Sequence, residues 1–106
     1  MPRITHLQFL VLGCLLEEAR AGREIRAALH EHGVKKSGPA FYQAMARMED
    51  AGFVTGSYDS KVVDGQMIKQ RRYEITTAGA GAWRESRDFY LSAIKAFDPR
   101  RGFARV

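Results

Sequence analysis

The segment PAFYQAMARMEDAGF, residues 39–53, predicts a helix with an apolar stripe on one side. The opposite, outer side of this helix carries unusually short side chains. Gln43 and Arg47 lie on that outer side, and Ala40 and Ala46 would let the helix backbone approach another surface closely. A glutamine carboxamide can pair bidentately with adenine, and an arginine guanidinium can pair with guanine or grip a phosphate. The pattern predicts a surface that reads base edges, although a helix face turned to water carries the same residue types.

Residues that flank this helix could hold phosphate groups. Lys35, Lys36 and Ser37 precede it, at the end where free helix N–H groups favour an anion. Tyr42 lies at the edge of the apolar stripe, where its phenol could donate to a backbone phosphate or simply pack half-buried. We expect phosphate contacts at the N-terminal end, and both interpretations of Tyr42 stay open.

Further cations follow in a segment that alternates like a β-hairpin. They are Lys61, Lys69, Arg71 and Arg72. Alternation sends Arg71 and Arg72 to opposite faces of a strand, so at most one of them can face DNA. Charged residues in a hairpin often only keep its surface in contact with water. Here we predict DNA contacts from Lys61, Lys69 and one arginine.

Capping and stop residues bound three helices ahead of the hairpin. A threonine with a glutamine three residues later opens the first helix, which is the capping-box spacing. A glycine ends each of the next two helices, as a helix C-terminus prefers. These boundary residues are Thr5 and Gln8, Gly22 and Gly33, and Ser37 or Gly38 with Gly52.

The hairpin and a long last helix complete the chain. VTGSY and RRYEI alternate on either side of Asp64-Gly65, a strong hairpin-turn signal. Thr76 or Thr77 then caps a helix that continues to about Phe97. Three helices followed by a two-stranded β wing predict an α+β, mostly α, winged helix-turn-helix fold, with an additional C-terminal helix.

The last helix contains more apolar surface than the rest of this short chain can cover. About twenty residues make a helix roughly 30 Å long, and a partner subunit is the economical cover for its aromatic stripe. We therefore divide the chain into a winged-helix DNA-binding domain at 1–76, a dimerisation helix at 77–97 and a basic tail at 98–106. The predicted interface residues are Leu7, Leu10, Val11, Trp83, Tyr90, Leu91, Ile94 and Phe97.

The ordered motifs resemble the PadR family of transcriptional regulators, in the compact form with a single C-terminal helix. The similar segments are FLVLGCLLEEARAGREI, SGPAFYQAMARMEDAGFV and YEITTAGAGAW, and together they span about Leu7 to Ala96. Arg23 stands where the family often has an aromatic residue, and the wing VVDGQMIKQRR is slightly long and lacks the usual proline. The resemblance implies dimerisation through the last helix, often with the first helix. It also implies a small aromatic or cationic effector in some members, for which Trp83 and Tyr90 are candidate ring surfaces.

Composition narrows the function classes further. The net charge of +5 and the pI near 9.7 favour polyanions without specifying one. The single cysteine, Cys14, lies in an apolar run and predicts an inert buried thiol. His30 and His32 lack metal-ligand spacing and no nucleophile set is evident, so we expect neither an enzyme nor a cofactor or metal. No leader or membrane-length apolar run is evident, so we expect a cytoplasmic protein with no membrane partner.

These observations lead to one principal hypothesis and one alternative. The principal hypothesis is a homodimeric, sequence-specific regulator that binds double-stranded DNA at a palindromic operator, as a repressor. The alternative is a winged-helix module whose third helix contacts a protein instead of DNA.

Overall fold

A computed structural model describes residues 2–98 of the chain. The helices are α1 (His6–Cys14), α2 (Gly22–Glu31), α3 (Gly38–Asp50) and α4 (Thr77–Phe97), and the strands are β1 (Arg20–Ala21), β2 (Val54–Val63) and β3 (Gln66–Ile75). The fold is mostly helical with a small antiparallel sheet, which confirms the predicted winged helix-turn-helix class.

The sheet differs from the prediction by one strand. Its order is β1-β3-β2, so the wing hairpin is extended by a third, two-residue strand. Arg20 pairs with Tyr73 and Ala21 pairs with Arg72. The two-stranded wing is present as predicted, and the short β1 makes the whole sheet three-stranded. A two-residue strand is too short to produce any alternation in the sequence, which is why the pattern could not reveal it.

The predicted helix boundaries follow from local hydrogen bonds. Thr5 caps α1, its hydroxyl accepting from the Gln8 N–H at 3.1 Å while the Gln8 side chain accepts from the Thr5 N–H at 2.9 Å. The N-terminus of α2 is held by Glu24, whose carboxylate accepts from the Ala21 N–H at 2.9 Å. This bond lowers the pKa of Glu24, with further help from nearby arginines including Arg72.

Two consecutive helices end in the same way. Gly33 and Gly52 have φ values of 82° and 81°, in the left-handed region that favours glycine. The residue after each glycine then donates its N–H back into the helix, Val34 to Leu29 and Phe53 to Met48. This closing arrangement satisfies carbonyls that would otherwise lack a donor, so both ends are defined by the sequence.

The wing is a regular hairpin. β2 and β3 pair over their full length, from Val54 with Ile75 at the base to Val63 with Gln66 at the tip. Asp64 and Gly65 have φ values of 51° and 77°, as a two-residue hairpin turn of this kind requires. The hairpin-turn signal in the sequence therefore set the register of the whole wing.

The core lies where the first three helices, the base of the wing and the start of α4 meet. Its fully buried members include Leu12, Ile25, Phe41, Met45 and Val54. The long helix α4 begins at the predicted cap, with the Thr76 hydroxyl accepting from the Gly79 N–H at 3.0 Å. Its first half is packed against this core, whereas most large apolar residues of its second half are exposed.

The thiol of Cys14 is held in its unreactive form. Burial raises the pKa of Cys14, and the charge of Arg20 offsets that effect only in part. The neutral thiol stabilises the fold below its ordinary pKa near 9.0, and this contribution is lost as pH rises through the higher folded pKa.

We expect iodoacetamide to alkylate Cys14 at neutral pH more slowly in the folded chain than in the urea-unfolded chain. Equal rates, followed by mass spectrometry, would contradict this assignment.

Candidate nucleic-acid interface

The outer side of α3 is open to solvent. Ala40, Gln43, Ala46 and Arg47 are all exposed, on the side of the helix opposite the buried Phe41. Within residues 2–98, neither the Gln43 nor the Arg47 side chain takes part in a hydrogen bond or ion pair. Their bidentate groups are therefore free to pair with an external partner.

The opposite side of α3 anchors the helix rigidly. Phe41, Met45 and Met48 are each no more than 1% exposed and belong to the central core. A helix held this way keeps a fixed orientation relative to the rest of the fold. The short outer side is thus presented as a defined edge.

The residues ahead of α3 lie at its N-terminus as predicted. Lys35, Lys36 and Ser37 are exposed. The Ser37 hydroxyl accepts from the Ala40 N–H at 3.2 Å, which caps the helix and leaves the hydroxyl proton available to donate. The Lys36 carbonyl accepts from Arg26 at 2.9 Å, which ties this turn to α2 while the Lys36 amine stays in solvent.

Tyr42 packs against two neighbours and stays partly exposed, while its contact with phosphate remains a prediction. Its ring meets the Phe41 ring edge to face, with centroids 5.0 Å apart. It also lies against the start of α2, where a Cβ at Gly22 would be 2.7 Å from the ring. The residue nevertheless remains 38% exposed. Tyr42 therefore packs α3 against α2 and still offers surface beside the outer side of α3.

The two wing lysines follow opposite faces of the hairpin. Lys69 lies opposite Ser60 in the ladder and its amine is 5.4 Å from the centre of the Tyr58 ring. Lys61 lies opposite Ile68, one position along, and so projects from the other face. Both lysines are exposed, and their contact with DNA remains a prediction.

The two wing arginines already have partners inside the chain. Arg71 forms a 2.6 Å ion pair with Glu49 of α3, and Arg72 donates to the Ala19 carbonyl at 3.1 Å from the opposite face. Their placement on opposite faces agrees with strand alternation. Direct DNA contact by Arg71 or Arg72 stays a prediction, and either contact would compete with these bonds.

Arg23 is a candidate that the sequence pattern did not single out. It is exposed in the first turn of α2 and lines a groove of about 640 Å³ between α3 and the wing, together with Tyr42 and Lys69. A cation in the first turn of a helix is hard to distinguish from ordinary solvated charge. The only signal was its departure from the aromatic residue that the resemblance led one to expect.

The aromatic stripe of α4 is divided between the core and the surface. Trp83 stacks on Phe9 of α1 with centroids 5.7 Å apart, and Tyr90 meets Phe9 at 5.2 Å. Beyond them, Ile94 and Phe97 are 63% and 82% exposed. The N-terminal turn of α1 and this end of α4 border an apolar groove of about 680 Å³. The exposed part of the predicted interface is therefore the C-terminal half of α4.

The interface predicted on α1 is only partly available. Val11 is 1% exposed, so its side chain serves the core of the single chain and we withdraw it from the interface. Leu7 and Leu10 are half-buried against the core, and Leu91 on α4 is exposed. An arginine guanidinium, that of Arg87, lies 5.4 Å from the Trp83 ring centre. Of the two rings predicted to hold an effector, Tyr90 lines the apolar groove.

The geometry of the described residues bears on two other kinds of site. Among residues 2–98, no cluster of three or more histidine, cysteine, aspartate or glutamate side chains could hold a metal ion. Within the same range, no helix is long and apolar enough to cross a membrane.

The chain belongs to the PadR-like family of transcriptional regulators, whose family model matches residues 11–85. A comparison with curated proteins finds no match. The family match confirms the resemblance that the three sequence segments indicated.

Solved structures share the fold. A PadR family regulator from Clostridium difficile R20291 has a TM-score of 0.71 at 19% identity, covering 88% of this chain and 98% of that one. One from Eggerthella lenta DSM 2243 has a TM-score of 0.68 at 23% identity, covering 85% and 76%. Bacillus subtilis PadR, solved in complex with operator DNA, has a TM-score of 0.62 at 18% identity, covering 76% of this chain and 46% of that chain.

Proposed function

We propose that this chain is a sequence-specific DNA-binding regulator of transcription that acts in the cytoplasm, as a homodimeric repressor on a palindromic operator. The observation that supports it most directly is the outer side of α3, where Gln43 and Arg47 are exposed and free of partners within residues 2–98. In a winged helix, the third helix enters the major groove and such side chains meet base edges there. Repression follows if the operator overlaps a promoter.

Cations around this edge would hold the phosphate backbone. Lys35, Lys36 and Ser37 lie at the N-terminus of α3, and Arg23 and Lys69 lie along the groove between α3 and the wing. Contacts of this kind fix register and supply affinity without reading sequence. Lys61 alternates with Lys69 along the wing but also lines this groove, and it would add a further cation beside the phosphates.

Dimerisation would use the exposed half of α4. Tyr90, Ile94 and Phe97 line one side of the apolar groove, and Leu91 is 56% exposed beside them. Exposed apolar side chains grouped on one helix favour a protein partner, and a second copy of this chain supplies the same surface by symmetry. A two-fold dimer would place the two α3 helices on half-sites about 34 Å apart or a multiple of that distance.

An effector at such an interface is a separate proposal. Tyr90 lies at the edge of the apolar groove, where a small aromatic or cationic molecule could stack on its ring.

A protein–protein role for α3 is the alternative to DNA binding, and the exposed Val62 and Met67 at the wing tip favour it.

A salt titration distinguishes the DNA-binding and protein-binding functions. Binding of the full chain to labelled duplexes is measured by fluorescence anisotropy at several salt concentrations. The logarithm of the binding constant should fall linearly with the logarithm of the salt concentration. Absence of binding to any duplex at low salt would refute the DNA-binding proposal.

Trp83 is expected to matter for folding rather than for dimerisation. Trp83→Ala removes the ring that stacks on Phe9, and should lower the free energy of unfolding by roughly 2–3 kcal/mol because the side chain is only half-buried. Urea denaturation followed by circular dichroism measures this loss. An unchanged midpoint, with the mass in solution halved, would instead place Trp83 in the interface.

A further inference from the structure

The ion pair between Glu49 and Arg71 joins α3 directly to the wing. Glu49 lies in the last turn of α3 and Arg71 lies in the middle of β3, 22 residues further along the chain. The Arg71 nitrogen and the Glu49 carboxylate are 2.6 Å apart, and the side chains are only 28% and 23% exposed. Partial shielding from water makes this pair stronger than an ordinary surface pair.

Neighbouring residues are arranged around the pair. The Arg71 guanidinium lies 4.8 Å from the Tyr58 ring centre and 6.0 Å from that of Tyr73. Gly56, opposite Tyr73 in the ladder, leaves room for the carboxylate, since a Cβ at Gly56 would overlap Glu49 and lie 2.8 Å from Arg71. The ion pair therefore occupies space that the strand itself leaves open.

The rest of the wing has no comparable support. Nearly all residues from Ser57 to Lys69 are exposed. Within residues 2–98, no hydrogen bond or ion pair links this outer hairpin to the helices. Gln66, at the tip, is five residues beyond Arg71, which corresponds to about 17 Å of strand. A tilt of about 10° about the position of Arg71 would move the tip by roughly 3 Å, enough to break a phosphate hydrogen bond.

We infer that Glu49, Arg71 and Gly56 form a brace that fixes the angle between α3 and the wing, and that Glu49 and Arg71 are positioning residues for DNA binding. This inference rests on the proposed function of α3. In this proposal Arg71 keeps its bond to Glu49 when DNA is bound, in place of the DNA contact predicted for it from the sequence. Lys69, two residues away on the same face, is then held at a constant distance from the outer side of α3.

The pair also removes a carboxylate charge from the surface that would face phosphate. Burial alone would lower the pKa of Arg71, but the hydrogen bond and charge of Glu49, with a contribution from Tyr73, raise it above its ordinary value. Burial, together with the charge of Glu49, also raises the pKa of Tyr73, so that its hydroxyl stays neutral. Arg71 therefore stays charged and Tyr73 stays neutral at physiological pH.

The test compares Glu49→Gln, Arg71→Gln and the double variant with Lys69→Gln, which removes the same charge two residues away. Hydrogen exchange on the free full-length chain is measured first. We expect faster exchange in residues 59–70 for both brace variants, and no change for Lys69→Gln. Gly56→Ala keeps both charges but obstructs the pair, and should reproduce the effect. Circular dichroism melting confirms that each variant is folded.

Duplex binding over a series of salt concentrations is measured next. Arg71→Gln and Glu49→Gln should each weaken binding about fivefold with the salt slope unchanged, and the double variant should be no weaker than either single one. Lys69→Gln should reduce the salt slope by about 1, as loss of a phosphate contact does.

Two results would overturn the brace. One is a salt slope reduced by about 1 in Arg71→Gln together with tighter binding by Glu49→Gln, because Arg71 would then leave Glu49 for a phosphate. The other is unchanged exchange of residues 59–70 in all brace variants. If the parent chain binds no duplex, the proposed function fails, whereas the exchange data still decide whether the brace restrains the wing.

Discussion

Replacing Ile94 by glutamate is expected to convert the proposed homodimer into monomers and to weaken operator binding by a factor of roughly 100 or more. Ile94 is 63% exposed on the C-terminal half of α4 and borders the apolar groove. A dimer of the variant would bury two carboxylates in its interface. Burying a charged group without a partner is unfavourable, so the dimer would be destabilised. Each monomer would then hold a single half-site without the second half-site to retain it.

Light scattering measures the mass, and anisotropy with a palindromic duplex measures the affinity. Ser92→Glu is the matched control, because it adds the same charge about 200° around the helix and is also exposed. It should keep both the dimer mass and the affinity of the parent. A parent that is monomeric, or an Ile94→Glu variant with the parent's mass, would contradict dimerisation through α4.

Replacing Arg47 by alanine is expected to weaken binding to the selected operator by about 1–3 kcal/mol, or roughly fivefold to 150-fold. Arg47 is exposed on α3, and its side chain has no ion-pair or hydrogen-bond partner within residues 2–98. Alanine favours helix, so the fold should be unaffected. The loss should be smaller on unrelated duplexes, because a base contact contributes only where the preferred base is present.

Competition between the operator and a scrambled duplex measures this preference. Arg84→Ala is the control, since it removes the same charge from an exposed position on α4. It should leave the ratio of the two affinities unchanged. If Arg47→Ala weakened both duplexes equally, Arg47 would be a phosphate contact rather than a base contact.

Local signals in the sequence were sufficient to predict the helices and the wing turn. The cap at Thr5, the glycine ends at Gly33 and Gly52 and the Asp64-Gly65 turn each depend on only a few neighbouring residues. Such features can be predicted because the chemistry of a cap or a turn is complete within about six positions of the chain. The exposed outer side of α3 followed in the same way from the helical period.

Features that depend on distant contacts could not be predicted. β1 pairs over only two residues and leaves no pattern of its own. Alternation showed that Arg71 and Arg72 face opposite ways, but not that Arg71 would meet Glu49 or that Arg72 would meet the Ala19 carbonyl. Those partners are set by how α3 and the β1 segment pack on the sheet, which a single sequence does not encode locally.

The apolar stripe of α4 illustrates the same limit. The helical period places four apolar residues on one side of α4, and it predicted all four equally as interface residues. They are Trp83, Tyr90, Ile94 and Phe97. In the fold, Phe9 of α1 covers the first two and leaves the last two exposed. The packing position of α1 along α4 therefore determines which apolar side chains of α4 stay exposed and available to a partner.

Selection of duplexes from a random pool by the full-length chain tests the central claim most directly, because the operator sequence need not be known in advance. Bound duplexes are recovered at low salt and sequenced. The account predicts enrichment of an inverted repeat whose half-site centres are about 10 base pairs apart or a multiple of that number. Recovery of no duplex, or enrichment of none above the starting pool, would contradict the account of a dimer that reads DNA through α3.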